Sequence, residues 1–316
     1  MNDNKIKVGV IGVGHLGQYH ARIYSELPEA ELVGVYDVDA DRAAAIARKH
    51  RTRSFPTLES LAAATEALSV VVPTDKHRVV AGLLLERGRH LLVEKPIAAT
   101  TAEAEELVRL AREHGCLLQI GHVERFNPVL SYLDSINKPP KFIEAHRLAP
   151  YPPPRDGAEP RGTEVSVVLD LMIHDLEVIL HLVGSPVSAI HAVGIPVLSP
   201  SEDIANVRLV FANGCVANIT ASRISPEKMR KIRVFLPDSY VSLDYQAQEG
   251  LIYRKDGMRI TRDKVPLEKG EPLANELRSF VRCVAGHNQP LVSGDQAAAA
   301  LKLAVEITRR VREGSS

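Results

Sequence analysis

Lys95, Asp170 and His174 carry side chains suited to moving a proton, and the sequence around each is distinctive. Lys95 stands in Leu91-Leu-Val-Glu-Lys-Pro-Ile97, an apolar run that reads as a buried strand cut off by Pro96. Proline cannot donate to a ladder and drives the residue before it towards extended geometry. Glu94 and Lys95 are therefore expected at the carboxyl edge of a sheet, where open α/β folds bind ligands. Asp170 and His174 are four residues apart in an apolar-periodic stretch, Val165–Val183, and so share a helix face. An Asp one turn before a His can fix its tautomer, the arrangement a general base needs. Taken singly, each has a plainer role: a lysine at a strand end can be merely solvated, and a histidine on a helix merely satisfied.

The elements before Lys95 read as a dinucleotide-binding half. Ile6–Ile11 is a short apolar strand that runs directly into Gly12-Val-Gly-His-Leu-Gly17. A helix then opens, with Leu16, His20, Ile23, Tyr24 and Leu27 on one face. Strand before and helix after are the context a glycine fingerprint requires. Gly12 allows the tight turn, Gly14 lets the backbone approach a pyrophosphate, and Gly17 allows close helix–strand packing. With His15 and Leu16 between them, they put a helix N-terminus against a diphosphate. A second strand, Glu31–Tyr36, ends in Asp37, placed to accept from ribose hydroxyls. A carboxylate there repels a 2′-phosphate, which favours NAD over NADP; Arg42 is expected to pair with a neighbouring acid. Ser69–Val72 is a further buried strand, ending in Pro73-Thr74, with His77 in the next helix. Pro73, Thr74, His77, Glu94 and Lys95 complete the expected cofactor side. Helices at Val79–Arg87 and Thr101–His114 and a strand at Cys116–Ile120 continue a parallel βα alternation.

After Gly121 the character changes, and the expected division is 1–121 and 122–316. Gly121-His-Val-Glu-Arg-Phe-Asn-Pro128 leads into a helix ending near Asn137, then a strand at Lys141–Leu148. A proline-rich loop over Pro150–Gly162 carries Arg155 and Arg161 and reads as a substrate cover. Val187–Leu198, Asn206–Phe211, Cys215–Ser222, Lys231–Leu236, Tyr240–Leu243 and Leu251–Arg254 are strand-like, with hairpin turns at Asn213-Gly214 and Asp256-Gly257. Helices at Pro272–Ala285 and Asp295–Arg312 close the chain. The expected fold is α/β: a Rossmann domain followed by a C-terminal α/β domain with a large open, mainly antiparallel sheet. One bare sheet face suggests oligomerisation.

Bulk properties narrow the function classes. Of 316 residues, 45% are hydrophobic and 25% charged, and the net charge is zero. That balance gives no support for nucleic acid or an anionic membrane as partner. No apolar run approaches the ~20 residues of a membrane helix, and no signal sequence is evident. Cys116, Cys215 and Cys283 are too scattered for a disulfide framework or a zinc site, so no metal is expected. A cytoplasmic location is expected.

The order Gly12-x-Gly14-x-x-Gly17, Glu94-Lys95-Pro96 and Asp170-x-x-x-His174 resembles the glucose–fructose oxidoreductase/inositol dehydrogenase (Gfo/Idh/MocA) family along essentially the whole chain, including the lead-in Pro290-Leu-Val-Ser-Gly-Asp295. The resemblance implies NAD as cofactor, dimers or tetramers through the C-terminal sheet, and Lys95, Asp170 and His174 around a reacting alcohol. Within the family, Gly121–Pro128 and Met172-Ile-His-Asp175 resemble the UDP-N-acetylglucosamine 3-dehydrogenases. That implies oxidation of a sugar secondary alcohol, with Arg125, Asn127, Arg155, Arg161 and His174 facing the substrate, and the arginines as candidates for its diphosphate. Family alternatives are dehydrogenation of a free sugar, inositol or uronate, and NAD-dependent glycoside cleavage. A non-catalytic NAD-binding regulator is the third possibility.

Overall fold

The computed structural model describes residues 5–136, 138–154, 160 and 162–314. In chain order the elements are β1 (Ile6–Ile11), α1 (Gly17–Glu26), β2 (Ala30–Tyr36), α2 (Ala40–Lys49), β3 (Arg53–Ser54), α3 (Leu58–Ala64), β4 (Ala67–Val70), α4 (Thr74–Glu86), β5 (His90–Glu94), α5 (Thr101–Glu113) and β6 (Leu118–Gly121). They continue with α6 (Pro128–Asp134), β7 (Phe142–Leu148), α7 (Ile173–Val183), β8 (Val187–Ile195), β9 (Ile204–Phe211), β10 (Val216–Ser222), β11 (Met229–Phe235), β12 (Ser239–Asp244), β13 (Glu249–Asp256), β14 (Arg259–Lys264), α8 (Pro272–Gly286) and α9 (Gly294–Gly314). No helix among the described residues is long and apolar enough to cross a membrane.

The chain folds as two compact units: Met1–Phe126 with Glu271–Ala298, and Asn127–Gly270 with Ala299–Ser316. In the first, six strands pair in the order β3-β2-β1-β4-β5-β6, parallel throughout. This is the doubly wound order, whose direction reverses between β1 and β4. Strands β4 and β5 are continuous apolar runs because helices cover both faces. Local capping fixes the helix starts: the Asp39 side chain accepts from Arg42 N, and Thr57 and Thr100 form capping boxes. Two elements escape a reading of the sequence, the exposed two-residue β3 and the short α3. β4, Ala67–Val70, lies two residues before the expected strand, with Val71 N still donating to the Ile11 carbonyl at 2.8 Å just past its end. The simple division at residue 121 needs correction, because Glu271–Ala298 returns to the first unit. Leu277, Phe280, Val281 and Val284 of α8 join Val8, Val10, Ile23 and Tyr24 in one core cluster.

The second unit is built on eight strands in the order β14-β13-β12-β11-β7-β10-β9-β8. Pairing is antiparallel except between β10 and β7, so the sheet is mainly antiparallel as expected. Burial alternates strictly along β7, where Ile143, Ala145 and Arg147 face inward. The expected helix over Val165–Val183 is not regular: Val168–Met172 forms a π turn, and α7 follows it. Edge strand β14, fully exposed and rich in charge, carries too little apolar patterning to be read from sequence.

Candidate functional site

In the first unit, the glycine turn is shaped by what a side chain would strike. Gly12 has φ +82°, and a Cβ there would lie 2.5 Å from the Val71 carbonyl oxygen. A Cβ on Gly17 would collide with the Gly12 carbonyl, so α1 can pack this tightly only on glycine. Gly14 has nothing within 4 Å of its Cβ position, leaving open the surface a diphosphate needs. This bare cradle at the head of α1 fits a dinucleotide. Asp37 is 8% exposed; its carboxylate accepts from Val13 N at 2.8 Å and Asp39 N at 3.0 Å, which ties the end of β2 to the glycine turn. Arg42 pairs with Asp39 at 3.0 Å, the expected use. Pro73 is the cap residue of α4 and Thr74 its first residue. His77 is a clamp rather than an open surface: buried, it holds Nδ1 2.9 Å from the Pro96 carbonyl and Nε2 3.0 Å from the Val72 carbonyl, and as a neutral imidazole donates its one N–H to one of them. Burial depresses its pKa, against the two carbonyls. It therefore ties the end of the β4–α4 turn to the chain just past Lys95.

Lys95 is half-buried at the end of β5, and its peptide bond to Pro96 is cis. Glu94 holds this turn. Its Oε1 accepts from His20 Nε2 at 3.1 Å and its Oε2 from Lys95 N at 3.3 Å. A Cβ on Gly121 would meet Glu94 Oε2 at 3.0 Å, so the carboxylate rests on bare backbone of β6. Burial works to raise the Glu94 pKa, but the His20 hydrogen bond and charge and then Lys95 outweigh it and hold the group ionised. Two further groups stay neutral nearby. His122 is held down to about 3 by burial first and by Lys95 second. Glu276 of α8 is pushed well above the carboxylate range by burial and then by the Glu94 charge. Arg125 is 2% exposed, in a 3₁₀ turn over Val123–Phe126.

In the second unit, Asp170 lies in the π turn and His174 in the first turn of α7, both half-buried. π turns are frequent at functional sites because they re-aim side chains. The turn is anchored at its start by Ser166 Oγ, which accepts from Leu169 N at 3.3 Å. Beyond His174 the anchor is Asp175, fully buried, whose carboxylate accepts from Arg147 Nε at 2.6 Å and Nη2 at 3.2 Å. The guanidinium lies 5.8 Å from the Tyr245 ring centroid. Asn127, expected to face a ligand, is 3% exposed and structural in both halves of its amide: Oδ1 caps α6 at Val129 N (3.3 Å), and Nδ2 donates to the Tyr245 carbonyl at 3.1 Å. Arg155 and Arg161 lie outside the described residues.

Sequence reasoning passed over His20, Glu276 and the Arg147–Asp175 pair. A signal existed for the first two: each is a polar residue inside an otherwise apolar helical stripe, which demands a reason.

A family model described as oxidoreductase family, NAD-binding Rossmann fold (GFO/IDH/MocA) matches residues 6–122, and one for the C-terminal domain of GFO/IDH/MocA proteins matches residues 139–238. The chain is 37% identical over 309 residues, 96% of each protein, to the UDP-N-acetylglucosamine 3-dehydrogenase of Acidithiobacillus ferrooxidans. A solved structure of that A. ferrooxidans enzyme superposes with a TM-score of 0.91 at 36% identity, covering 98% of this chain and 99% of that one. The chain is also 25% identical, over 99% of its length and 96% of the other's, to a scyllo-inositol 2-dehydrogenase (NAD(+)) of Bacillus subtilis.

Proposed function

We infer the reaction from one premise: the chain belongs to the Gfo/Idh/MocA family of NAD-binding oxidoreductases. On that premise it is a dehydrogenase that oxidises a secondary alcohol of a sugar to a ketone, with the 3-hydroxyl of UDP-N-acetylglucosamine as the reacting position. The observation that carries this reading is the end-to-end likeness, at 37% identity, to a protein named for that activity. Lys95, which follows β5 and whose backbone N–H donates to the ionised Glu94, donates a hydrogen bond to the reacting oxygen and stabilises its developing negative charge. His174 takes the hydroxyl proton, a role typically worth ~10²–10⁴-fold. Asp170 orients the imidazole or the substrate. Gly12, Gly14, Gly17 and Asp37 would hold NAD, which would supply the hydride acceptor. We assign the diphosphate of the substrate to Arg125, Arg155 and Arg161; Asn127, committed to its cap, supports the helix it opens. A free inositol or sugar is the second reading, favoured by the full-length likeness to the inositol dehydrogenase.

The test is NADH formation across a panel of UDP-sugars, free sugars and inositols, with and without 2-oxoglutarate as an oxidant that regenerates the cofactor. Turnover of free sugars or inositols alone would overturn the nucleotide-sugar reading. Lys95→Ala is expected to bind NAD nearly as well as the parent while kcat drops by orders of magnitude; full activity in that variant would remove Lys95 from the reaction. We also place the enzyme in the cytoplasm, where its free thiols suit a reducing medium, and as a homo-oligomer paired through the open sheet face.

A further inference from the structure

Asp170 is seated on a glycine. Gly162 has φ +84°, a conformation that favours glycine, and a Cβ built on it would overlap the Oδ2 and Cγ atoms of Asp170. The Asp170 carboxylate therefore rests directly on the Gly162 backbone.

That backbone is clamped from behind. Arg223 Nη1 donates to the Gly162 carbonyl at 2.6 Å and to the Val165 carbonyl at 2.9 Å. Its Nη2 donates to Ser199 Oγ at 2.8 Å and Ser201 Oγ at 3.0 Å. Its Nε donates to Asp203 Oδ1 at 2.7 Å. All five N–H groups of the guanidinium are thus used, and the fork has one orientation. Arg223 is 2% exposed and Asp203 fully buried, and Asp203 is itself fixed, since its Oδ2 accepts from the backbone N–H groups of Val197, Leu198 and Ser199. A buried ion pair with every donor satisfied keeps its geometry. Here that rigidity is delivered to the two carbonyls of a short turn, Gly162 and Val165, and the carboxylate packs on the Cα of Gly162, where a side chain would stand.

We propose that Gly162, clamped by Arg223, is a positioning residue: it is the bare surface against which the Asp170 carboxylate is aimed at the reacting alcohol. The inference rests on the reading of Asp170 as part of the reacting centre. Any side chain at position 162 displaces the carboxylate, and displacement of about 1 Å at a reacting centre costs roughly 100-fold in rate. Two variants separate contact from backbone. Gly162→Ala adds a Cβ and opposes the positive φ, whereas Gly162→Asn adds a Cβ in a residue that tolerates it.

The experiment measures kcat, the KM for NAD and the melting temperature of Gly162→Ala, Gly162→Asn, Asp170→Ala and the double variant Gly162→Ala/Asp170→Ala. Both Gly162 variants are expected to lose roughly 100-fold in kcat with the KM for NAD unchanged. The double variant is expected to be no slower than Asp170→Ala, because the glycine acts only through the carboxylate. A Gly162→Asn enzyme as fast as the parent overturns the proposal, and so does a Gly162→Ala substitution that slows the Asp170→Ala enzyme as much as it slows the parent. A fully active Asp170→Ala enzyme overturns the assignment of Asp170 and the proposal with it. A slow Asp170→Ala beside fast Gly162 variants overturns the proposal alone.

Discussion

Two carboxyl groups in one buried neighbourhood of the first unit have been driven to opposite protonation states, a pattern that marks an environment tuned for one charge only. Glu94 is ionised through His20 and Lys95, while Glu276, whose carboxyl oxygens have no hydrogen-bond partner among the described residues, keeps its proton. The folded protein therefore retains a proton on Glu276 at pH values where the unfolded chain has lost it, and stability falls as pH rises beyond the ordinary carboxylate range. Glu276→Gln imitates the neutral acid without titrating. It is expected to melt above the parent at pH 8, with the gap closing towards pH 4; a gap independent of pH would refute the neutral state. Gly12, Gly14, Gly17 and Asp37 were legible in the sequence because each answers a demand made within one βα unit. His20 and Glu276 answer to Glu94, far along the chain, and no local pattern reveals such a partner.

Spacing placed Asp170 and His174 on one helix and hid how that helix begins. A π turn carries an extra residue relative to α geometry, so four-residue spacing across it does not give the angular offset of a regular helix. The turn stays fixed because β7 and α7 are riveted by Arg147 and Asp175, 4% and 1% exposed at their side chains. Removing one partner of such a pair leaves a bare buried charge, at a cost of roughly 3–5 kcal/mol. Asp175→Ala is expected to show that loss by denaturant melts. Arg147→Met with Asp175→Leu, apolar and of similar bulk, should recover most of it. Failure of the double variant to recover would mean that the pair contributes more than the relief of its own burial. Strand existence was legible in β7 to β13 from alternation. The inward Arg147 was not, because alternation marks a face without naming the charge it hides.

At the scale of the molecule, the eight-stranded sheet presents an organised outer face. Along one register line run Val210, Val216, Phe142, Phe235, Tyr240 and Tyr253, with ring centroids 5.5, 5.0 and 4.3 Å apart from Phe142 to Tyr253. The next line is polar: Arg208 donates to Asn218 Oδ1, and Arg233 pairs with Glu144. An apolar line beside a polar one suits a two-fold contact with a second copy. Tyr240→Glu is expected to shift sedimentation from oligomer to protomer, and a parent that sediments as a monomer would sink the pairing. The change of composition after residue 121 revealed that there are two units. It could not reveal that α8 returns to the first, because an amphipathic stripe states that a helix packs and leaves open on what. That return has a consequence for biosynthesis. The core of the first unit lacks Leu277, Phe280, Val281 and Val284 until α8 leaves the ribosome, and all of Asn127–Gly270 is made before it. At ~5–20 residues per second the wait is roughly 7–30 s. During that interval the nascent dinucleotide unit is an open half-core and a natural client for chaperones, so the usual order in which the first-made domain finishes first cannot apply to it.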